Sequence, residues 1–130
     1  MGDTKTTKII ICGGRHFNDY ELLMSRLNDI IASNKIDIKQ LEIVSGHCEG
    51  ADMLGEKCAA DLGAKCTVFP AQWKKYGRSA GPIRNKQMID YIKDCDNPIV
   101  LAFVNERTKG TRNTVSLAQK NNIPVFQYEY

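Results

Sequence analysis

The chain has 130 residues, the length of one ordinary domain, and can bury a hydrophobic core without metals or disulfides. Hydrophobic residues make up 42% and charged residues 25%, which is typical of a globular protein and excludes a disordered chain or a coiled coil. The net charge of +3 is too small to indicate nucleic-acid binding by itself. We therefore predict a single domain over residues 1–130.

The first strand and helix are predicted from the segment that follows the polar start of the chain. KIIIC at 8–12 is nearly continuous and β-branched, which is the pattern of a strand covered on both faces. Asn18, followed three residues later by Glu21, forms a capping-box pattern. It predicts that a helix begins at this point and continues to about residue 33.

The middle of the chain repeats this alternation. LEIVS at 41–45 predicts the second strand, and apolar residues at helical spacing then predict a helix that begins at Ala51 and ends at Gly63. KCTVF at 65–69 predicts the third strand. The following stretch, PAQWKKYGRS at 70–79, is predicted to be irregular.

The last part of the chain completes the pattern with two helices and two strands. Met88 and Ile92 belong to the apolar stripe of the third helix, and Val115 belongs to that of the fourth. PIVLAF at 98–103 and IPVFQY at 123–128 predict the remaining strands. Five strands alternate with four helices in units short enough for right-handed crossovers, so we predict a Rossmann-like, doubly wound α/β fold. Its five-stranded parallel sheet is expected to have the order 3-2-1-4-5, with helices on both faces.

The cysteines and the apolar runs bear on the cellular compartment. The five cysteines are an odd number, and no pair has the CxxC spacing of a zinc or redox site. Cys12, Cys58 and Cys95 fall at apolar positions, so buried free thiols and a reducing compartment are expected. No apolar run approaches the roughly 20 residues that span a bilayer, and MGDTKTTK lacks the apolar core of a signal peptide. We expect a cytoplasmic protein with no membrane association.

The segments that are unusual for a plain scaffold follow the carboxyl ends of the first four predicted strands. They are GGRHF, SGHCEGAD, PAQWKKYGRSAGPIRN and VNERTKGT. In an open α/β sheet these ends form one rim, where ligands bind. Glycines at helix starts leave backbone N–H groups and the positive end of the helix dipole open to an anion. Glycines are also used in turns that bind nothing, but their recurrence along one rim favours a phosphate site.

Charged and aromatic side chains on this rim indicate an anionic ligand. Basic residues outnumber carboxylates in these loops. Arg84 precedes Met88 by four residues on the helix face that points toward the sheet, so it should reach the rim and bind phosphate in a bidentate way. Trp73 and Tyr76 lie in the same long loop. They either stack on a nucleobase or pack as a lid or subunit contact.

The acidic residues and histidines of the rim have more than one interpretation. Glu49 and Asp52 either bind ribose hydroxyls or act as general acid or base, and Asp52 alternatively caps the helix dipole. His16 and His47 lie in separate loops with no third ligand at a fixed spacing, so no metal is expected. The chain lacks the GxSxG, Walker A and GxGxxG motifs, so no cofactor is predicted.

These loops resemble the SLOG superfamily of Rossmann-like domains and, within it, the YspA-type, cpYpsA-related group. The shared features are GGR after the first strand, SGHCEGAD where that group has SGxxxGAD, then FPAQW, AGPIRNKQM and KGT. The resemblance spans nearly the whole chain. It implies binding of a nucleotide or nucleotide-derived ligand, such as a nucleoside phosphate or an ADP-ribose-like molecule, and makes a homo-oligomer the expected assembly.

Related branches of the superfamily leave several functions open. They include the LOG phosphoribohydrolases, which cleave the N-glycosidic bond of nucleoside monophosphates, the DNA-binding protein DprA, and sensor domains for nucleotide second messengers. RNKQM at 84–88 resembles the LOG segment that carries an active-site arginine. LOG enzymes have a glutamate soon after a glycine–threonine turn, whereas this chain has GTRNT at 110–114.

Three expectations remain at this point. The ligand is cleaved with the help of Asp52 or Glu49, or it is bound by a non-catalytic sensor or sequestering protein. A weaker alternative is that the chain binds single-stranded nucleic acid. The residues predicted to contact the ligand are Gly13, Gly14, Arg15, Gly46, Gly50, Ala51, Trp73, Arg84, Asn85, Lys109, Gly110 and Thr111.

Overall fold

A computed structural model describes residues 5–130 of the chain. Residues 1–4, which belong to the predicted domain and to the amino-terminal segment predicted not to be a signal peptide, lie outside the described residues. The strands are β1 Thr7–Gly13, β2 Leu41–Ser45, β3 Lys65–Val68, β4 Asn97–Val104 and β5 Val125–Glu129. The helices are α1 Tyr20–Ser33, α2 Ala51–Leu62, α3 Trp73–Tyr76, α4 Ala80–Ile92 and α5 Lys109–Lys120. Short 3-10 turns occupy Ile38–Gln40 and Gly77–Ser79.

The five strands form a parallel sheet in the order β3-β2-β1-β4-β5. The first residue of β1, Thr7, pairs with Leu41 of β2 on one side and with Asn97 of β4 on the other. The sheet order reverses between β1 and β4, and this crevice is where an open α/β sheet binds ligands. The predicted Rossmann-like fold class and strand order are confirmed.

The continuous apolar runs are explained by two cores, one on each face of the sheet. In β1, Ile9 and Ile11 pack in one core, and Ile10 and Cys12 pack in the other. The first core includes residues of α1 and α2: Leu23, Leu27, Ile30, Ala51, Cys58 and Ala59. The second includes residues of α4 and α5: Met88, Ile89, Ile92, Val115 and Ala118. Both faces of the central strands are therefore covered by helices.

Three local predictions were wrong. The residue that caps α1 is Asp19, one position after Asn18, and its Oδ1 accepts a hydrogen bond from the Leu22 amide at 3.0 Å. A carboxylate is the stronger acceptor at the positive end of a helix. The stretch 70–79 is not irregular throughout, because it contains α3, a single turn too short to show periodicity. Cys95 lies beyond the end of α4 and is half-buried.

Cys12 and Cys58 are buried, and all five cysteines of the described chain are free. Among residues 5–130, no helix combines the length and the apolar character that crossing a membrane requires. The helix α2 ends as predicted at Gly63, which adopts the left-handed conformation with φ 72°.

Candidate functional site

A cleft of about 910 Å³ opens at the carboxyl ends of the strands. It lies between the β1–α1 and β2–α2 loops on one side and the start of α5 on the other, and α3 and α4 contribute to its wall. Most of the predicted site residues line it: Gly13, Gly14, Arg15, Glu49, Asp52, Trp73, Arg84, Asn85, Lys109, Gly110 and Thr111. Gly46, Gly50 and Ala51 are not among its lining residues.

Arg84 is buried in the wall of the cleft by its own hydrogen bonds. Its Nη1 donates to the Gly46 carbonyl at 2.6 Å, and its Nε donates to Oδ1 of Asn85 at 2.9 Å. The sulfur of Cys48 lies 3.7 Å from Nη1 and 3.8 Å from Nη2. These contacts fix the plane of the guanidinium, and within residues 5–130 Nη2 has no oxygen acceptor. An arginine held in this way offers its remaining N–H groups to an anion.

Gly46 makes room for two charged side chains. A Cβ added at this position would lie 2.6 Å from Nη1 of Arg84 and 2.8 Å from Oδ2 of Asp52. Real Cβ atoms do not approach other atoms so closely. The structure therefore places Gly46 behind Arg84 and Asp52, with its carbonyl engaged by the arginine.

Gly50 joins the β2–α2 loop to the β1–α1 loop. It precedes α2 with φ 89° and ψ −131°, a conformation that favours glycine. A Cβ here would overlap the carbonyl oxygen of Gly14 and would lie 2.6 Å from that of Arg15. The amide of the next residue, Ala51, donates to the Gly14 carbonyl at 3.3 Å. Gly50 and Ala51 thus contact the neighbouring loop.

The backbone of Gly14 is also used within the protein. Its amide donates to the Phe103 carbonyl at 3.1 Å, and its carbonyl accepts from the amides of Phe17, at 3.1 Å, and Ala51. Although Gly14 lines the cleft, its N–H is not free to bind phosphate.

Asp52 is a buried carboxyl group in the cleft wall. Burial raises its pKa from the ordinary 3.8 to about 6. Hydrogen bonds from the Cys48 and Gly13 amides and the charge of Arg84 oppose this shift, whereas the charge of Glu56 adds to it. The Cys48 amide is 3.4 Å from Oδ2. A carboxyl group that titrates near neutral pH is able to exchange a proton with a bound ligand.

The two histidines that were predicted to lie on the rim have different surroundings. His16 lines the cleft, whereas Nδ1 of His47 bonds to Oε2 of Glu56 at 2.8 Å. Ser45 donates to the same oxygen at 2.8 Å, so its hydroxyl contacts the carboxylate and is not activated by the imidazole. Residues 5–130 contain no group of three or more histidine, cysteine or acidic side chains placed to hold a metal ion.

The amino end of α5 faces the cleft without a side-chain cap. The hydroxyl of the preceding residue, Thr108, donates to the Asn105 carbonyl at 2.9 Å and does not cap the helix. The amide of Arg112 is bonded to the Thr108 carbonyl at 3.0 Å, whereas the amides at 109–111 precede the first intrahelical bond. Such an end combines free N–H groups with the positive end of the helix dipole and attracts anions.

Asn85 connects this helix end to Arg84. Its side-chain amide donates to the Gly110 carbonyl at 3.2 Å and to Oδ1 of Asn113 at 2.9 Å. Its Oδ1 accepts the hydrogen bond from Arg84. Asn85 is itself buried, so the two groups suited to an anion are joined by a buried side chain.

The outer parts of the cleft are more open. Arg15, Glu49 and Lys109 are exposed, and Trp73 on α3 is 57% exposed. Lining residues absent from the predicted set include Cys12, Cys48, Asn105, Thr108, Asn113 and Tyr130. Tyr130 follows directly on β5, and the parallel direction of that strand places it on the rim.

Comparison with known proteins agrees with this architecture. Residues 7–76 match the model of the family described as YspA, cpYpsA-related SLOG family. Gene 61 protein of Mycobacterium phage D29 is 29% identical over 126 residues, which are 93% of this chain and 95% of that protein. The structure of DNA processing protein A (DprA) from Streptococcus pneumoniae is similar with a TM-score of 0.60 and 16% identity.

The similarity to DprA covers 95% of this chain and 50% of the DprA chain, so this chain spans half the length of that protein. At this identity the likeness shows the fold alone. The family model, in contrast, matches more than half of the chain. The chain belongs to the YspA, cpYpsA-related SLOG family.

Proposed function

We propose that this protein binds a nucleotide or nucleotide-derived ligand, a nucleoside phosphate or an ADP-ribose-like molecule, in the rim cleft. The observation that carries the proposal is the pairing of two anion-binding groups in one cleft: the uncapped amino end of α5 and the guanidinium of Arg84, joined through Asn85. Membership in the SLOG family indicates nucleotide-related binding at this type of fold.

The cleft has a suitable partner for each part of such a ligand. Its volume of about 910 Å³ lies within the roughly 300–1,000 Å³ range of small-molecule sites. Phosphate oxygens would bind at the first turn of α5 and at Nη2 of Arg84. Asp52 and Glu49 would accept hydrogen bonds from ribose hydroxyls, and Trp73 would stack on the base.

The binding test uses AMP and ADP-ribose with wild type and Arg84→Lys. Ligand is expected to raise the melting temperature of the wild type. Arg84→Lys is expected to weaken binding about tenfold in calorimetry, because lysine keeps the charge but loses the fixed, forked N–H groups. Arg26→Lys, on the half-exposed side of α1, is the matched control and should bind like wild type. Failure of every nucleotide to shift the melting temperature would contradict the proposal.

Cleavage of an N-glycosidic bond is a second candidate, favoured by the raised pKa of Asp52. A carboxyl group in this position would stabilise the developing positive charge of the ribose ring or transfer a proton. Chromatography of the incubated nucleotides decides between the two versions. Free base that disappears in Asp52→Asn supports hydrolysis, and recovery of intact ligand after denaturation supports a sensor or sequestering protein.

Binding of single-stranded nucleic acid remains the third candidate. Trp73 is largely exposed and shares α3 with Lys74 and Lys75, a combination that suits stacking and backbone contacts. The name of DNA processing protein A refers to DNA. This function predicts oligonucleotide binding that weakens with salt. No gel shift at low salt would remove it.

We propose further that the protein is a cytoplasmic homo-oligomer. The free state of all five cysteines in the described chain agrees with a reducing compartment. Light scattering coupled to size exclusion measures the assembly, and the mass of a monomer would contradict the oligomer.

A further inference from the structure

The phenol of Tyr130 lies against Gly14 inside the cleft. A Cβ added at Gly14 would overlap the Tyr130 hydroxyl and would lie 2.7 Å from Cζ of the ring. The same added atom would be 3.1 Å from Cγ2 of Thr108, the residue before α5. The hydroxyl therefore sits between the β1–α1 loop and the amino end of α5.

The surrounding aromatic residues hold the tyrosine in this position. Its amide donates to the Val104 carbonyl at 3.1 Å, which continues the pairing of β4 with β5. Its ring packs edge-on against Phe17, with centroids 5.1 Å apart. Phe17 is in turn stacked on Phe103 at 4.5 Å, and both phenylalanines are buried. The ring is fixed by backbone and packing contacts on the side away from the cleft.

The hydroxyl itself is available to a ligand. Within residues 5–130 the Tyr130 hydroxyl forms no hydrogen bond. The N–H and the carbonyl of Gly14 beneath it are both bonded to other residues. A tyrosine phenol keeps its proton at neutral pH and acts as a donor, and partial desolvation raises the pKa of Tyr130 further. Tyr130 is 42% exposed, so a ligand is able to reach it. The donor above Gly14 is therefore the Tyr130 hydroxyl, and it is suited to a hydrogen-bond acceptor on a ligand.

We propose that Tyr130 contacts the ligand: its phenol donates a hydrogen bond to the phosphate held at the amino end of α5, and the hydroxyl end of the side chain separates that phosphate from the Gly14 backbone. This inference rests on the proposed nucleotide binding. It gives Gly14 a different purpose from the one that the sequence indicates. Glycine at this position accommodates the tyrosine, and the ligand contacts the phenol above it.

The first experiment removes the hydroxyl and leaves the ring. Calorimetric titration with AMP and ADP-ribose compares wild type with Tyr130→Phe, whose affinity is expected to fall about tenfold, as for a lost hydrogen bond to a charged group. Tyr128→Phe is the matched control. Tyr128 belongs to the same strand, stacks on Phe103 at 5.9 Å and does not line the cleft. Its affinity should stay within about twofold of wild type.

The second experiment tests whether Gly14 makes room for the Tyr130 side chain or for the ligand itself. Gly14 does not have a positive φ, so alanine is penalised there by the steric contact alone. Gly14→Ala is expected to weaken nucleotide binding about tenfold in the wild type by displacing the phenol, and to have less than a twofold effect in Tyr130→Ala. Melting temperatures without ligand verify that each variant is folded.

The outcomes are distinguishable. If the wild type binds neither AMP nor ADP-ribose, the proposed function fails and this inference fails with it. If the wild type binds and Tyr130→Phe binds equally well, only the role of Tyr130 is overturned. An undiminished effect of Gly14→Ala in the Tyr130→Ala background would show that the ligand approaches the glycine directly, and would also overturn it.

Discussion

Gly50→Ala is expected to lower the free energy of unfolding by about 2–6 kcal/mol. The new methyl group would occupy a backbone conformation with φ 89° and would overlap the Gly14 carbonyl, which is backbone and has little freedom to move. Backbone strain of this kind costs about 1–3 kcal/mol, and a forced steric contact costs a similar amount. Urea denaturation followed by circular dichroism measures the loss.

Gly63→Ala is the matched control for this prediction. Gly63 also has a positive φ, 72°, but an added Cβ meets no atom within 4 Å. The substitution should cost about 1 kcal/mol, because it carries the left-handed penalty without a clash. Equal losses for the two variants would mean that the overlap of the new methyl group with the Gly14 carbonyl is relieved at no cost, and would contradict this prediction.

The stability of the wild type is expected to decrease as the pH rises through about 6, because of Asp52. Burial raises the pKa of this group above its unfolded value of 3.8, so the folded protein binds its proton more tightly than the unfolded chain does. The resulting stabilisation is fully present below pH 3.8 and is lost above about 6. A shift from 3.8 to about 6 corresponds to about 3 kcal/mol.

Asp52→Asn isolates this contribution, since asparagine keeps the size of the side chain and does not titrate. Denaturation curves of both proteins, recorded at several values between about pH 4 and about pH 8, give the difference in unfolding free energy. Wild type should lose stability relative to the variant across this range. A difference that is independent of pH, or one that favours wild type as pH rises, would contradict the raised pKa.

The sequence predicted the fold because its signals were repeated and consistent. Apolar runs such as 8–12 and 98–103 are long enough to indicate buried parallel strands, and the parallel sheet then places all the following loops on one rim. The same logic located Arg84 and the start of α5 in one cleft. α3 escaped prediction because one turn of helix has no period to detect.

Glycines show where this reasoning stops. The sequence does not show whether a glycine makes room for a ligand, for a side chain or for another loop. The structure distinguishes the two roles: Gly46 makes room for the Arg84 guanidinium, whereas Gly50 makes room for the carbonyl of Gly14. Tyr130 was missed for a related reason, since its contact joins the end of the edge strand β5 to Gly14, which follows the central strand β1, and no local pattern encodes it.

The buried amide of Asn85 has a thermodynamic consequence for any ligand of this cleft. Arg84 and the first turn of α5 belong to helices separated along the chain by β4, and independent motion of the two would have to be frozen on binding. Freezing a long side chain costs about 0.5–1.5 kcal/mol of conformational entropy. The hydrogen bonds of Asn85 to Arg84, Gly110 and Asn113 already restrict this motion in the free protein. The entropy is lost during folding, so an arriving anion meets a rigid site and retains more of its contact energy as affinity.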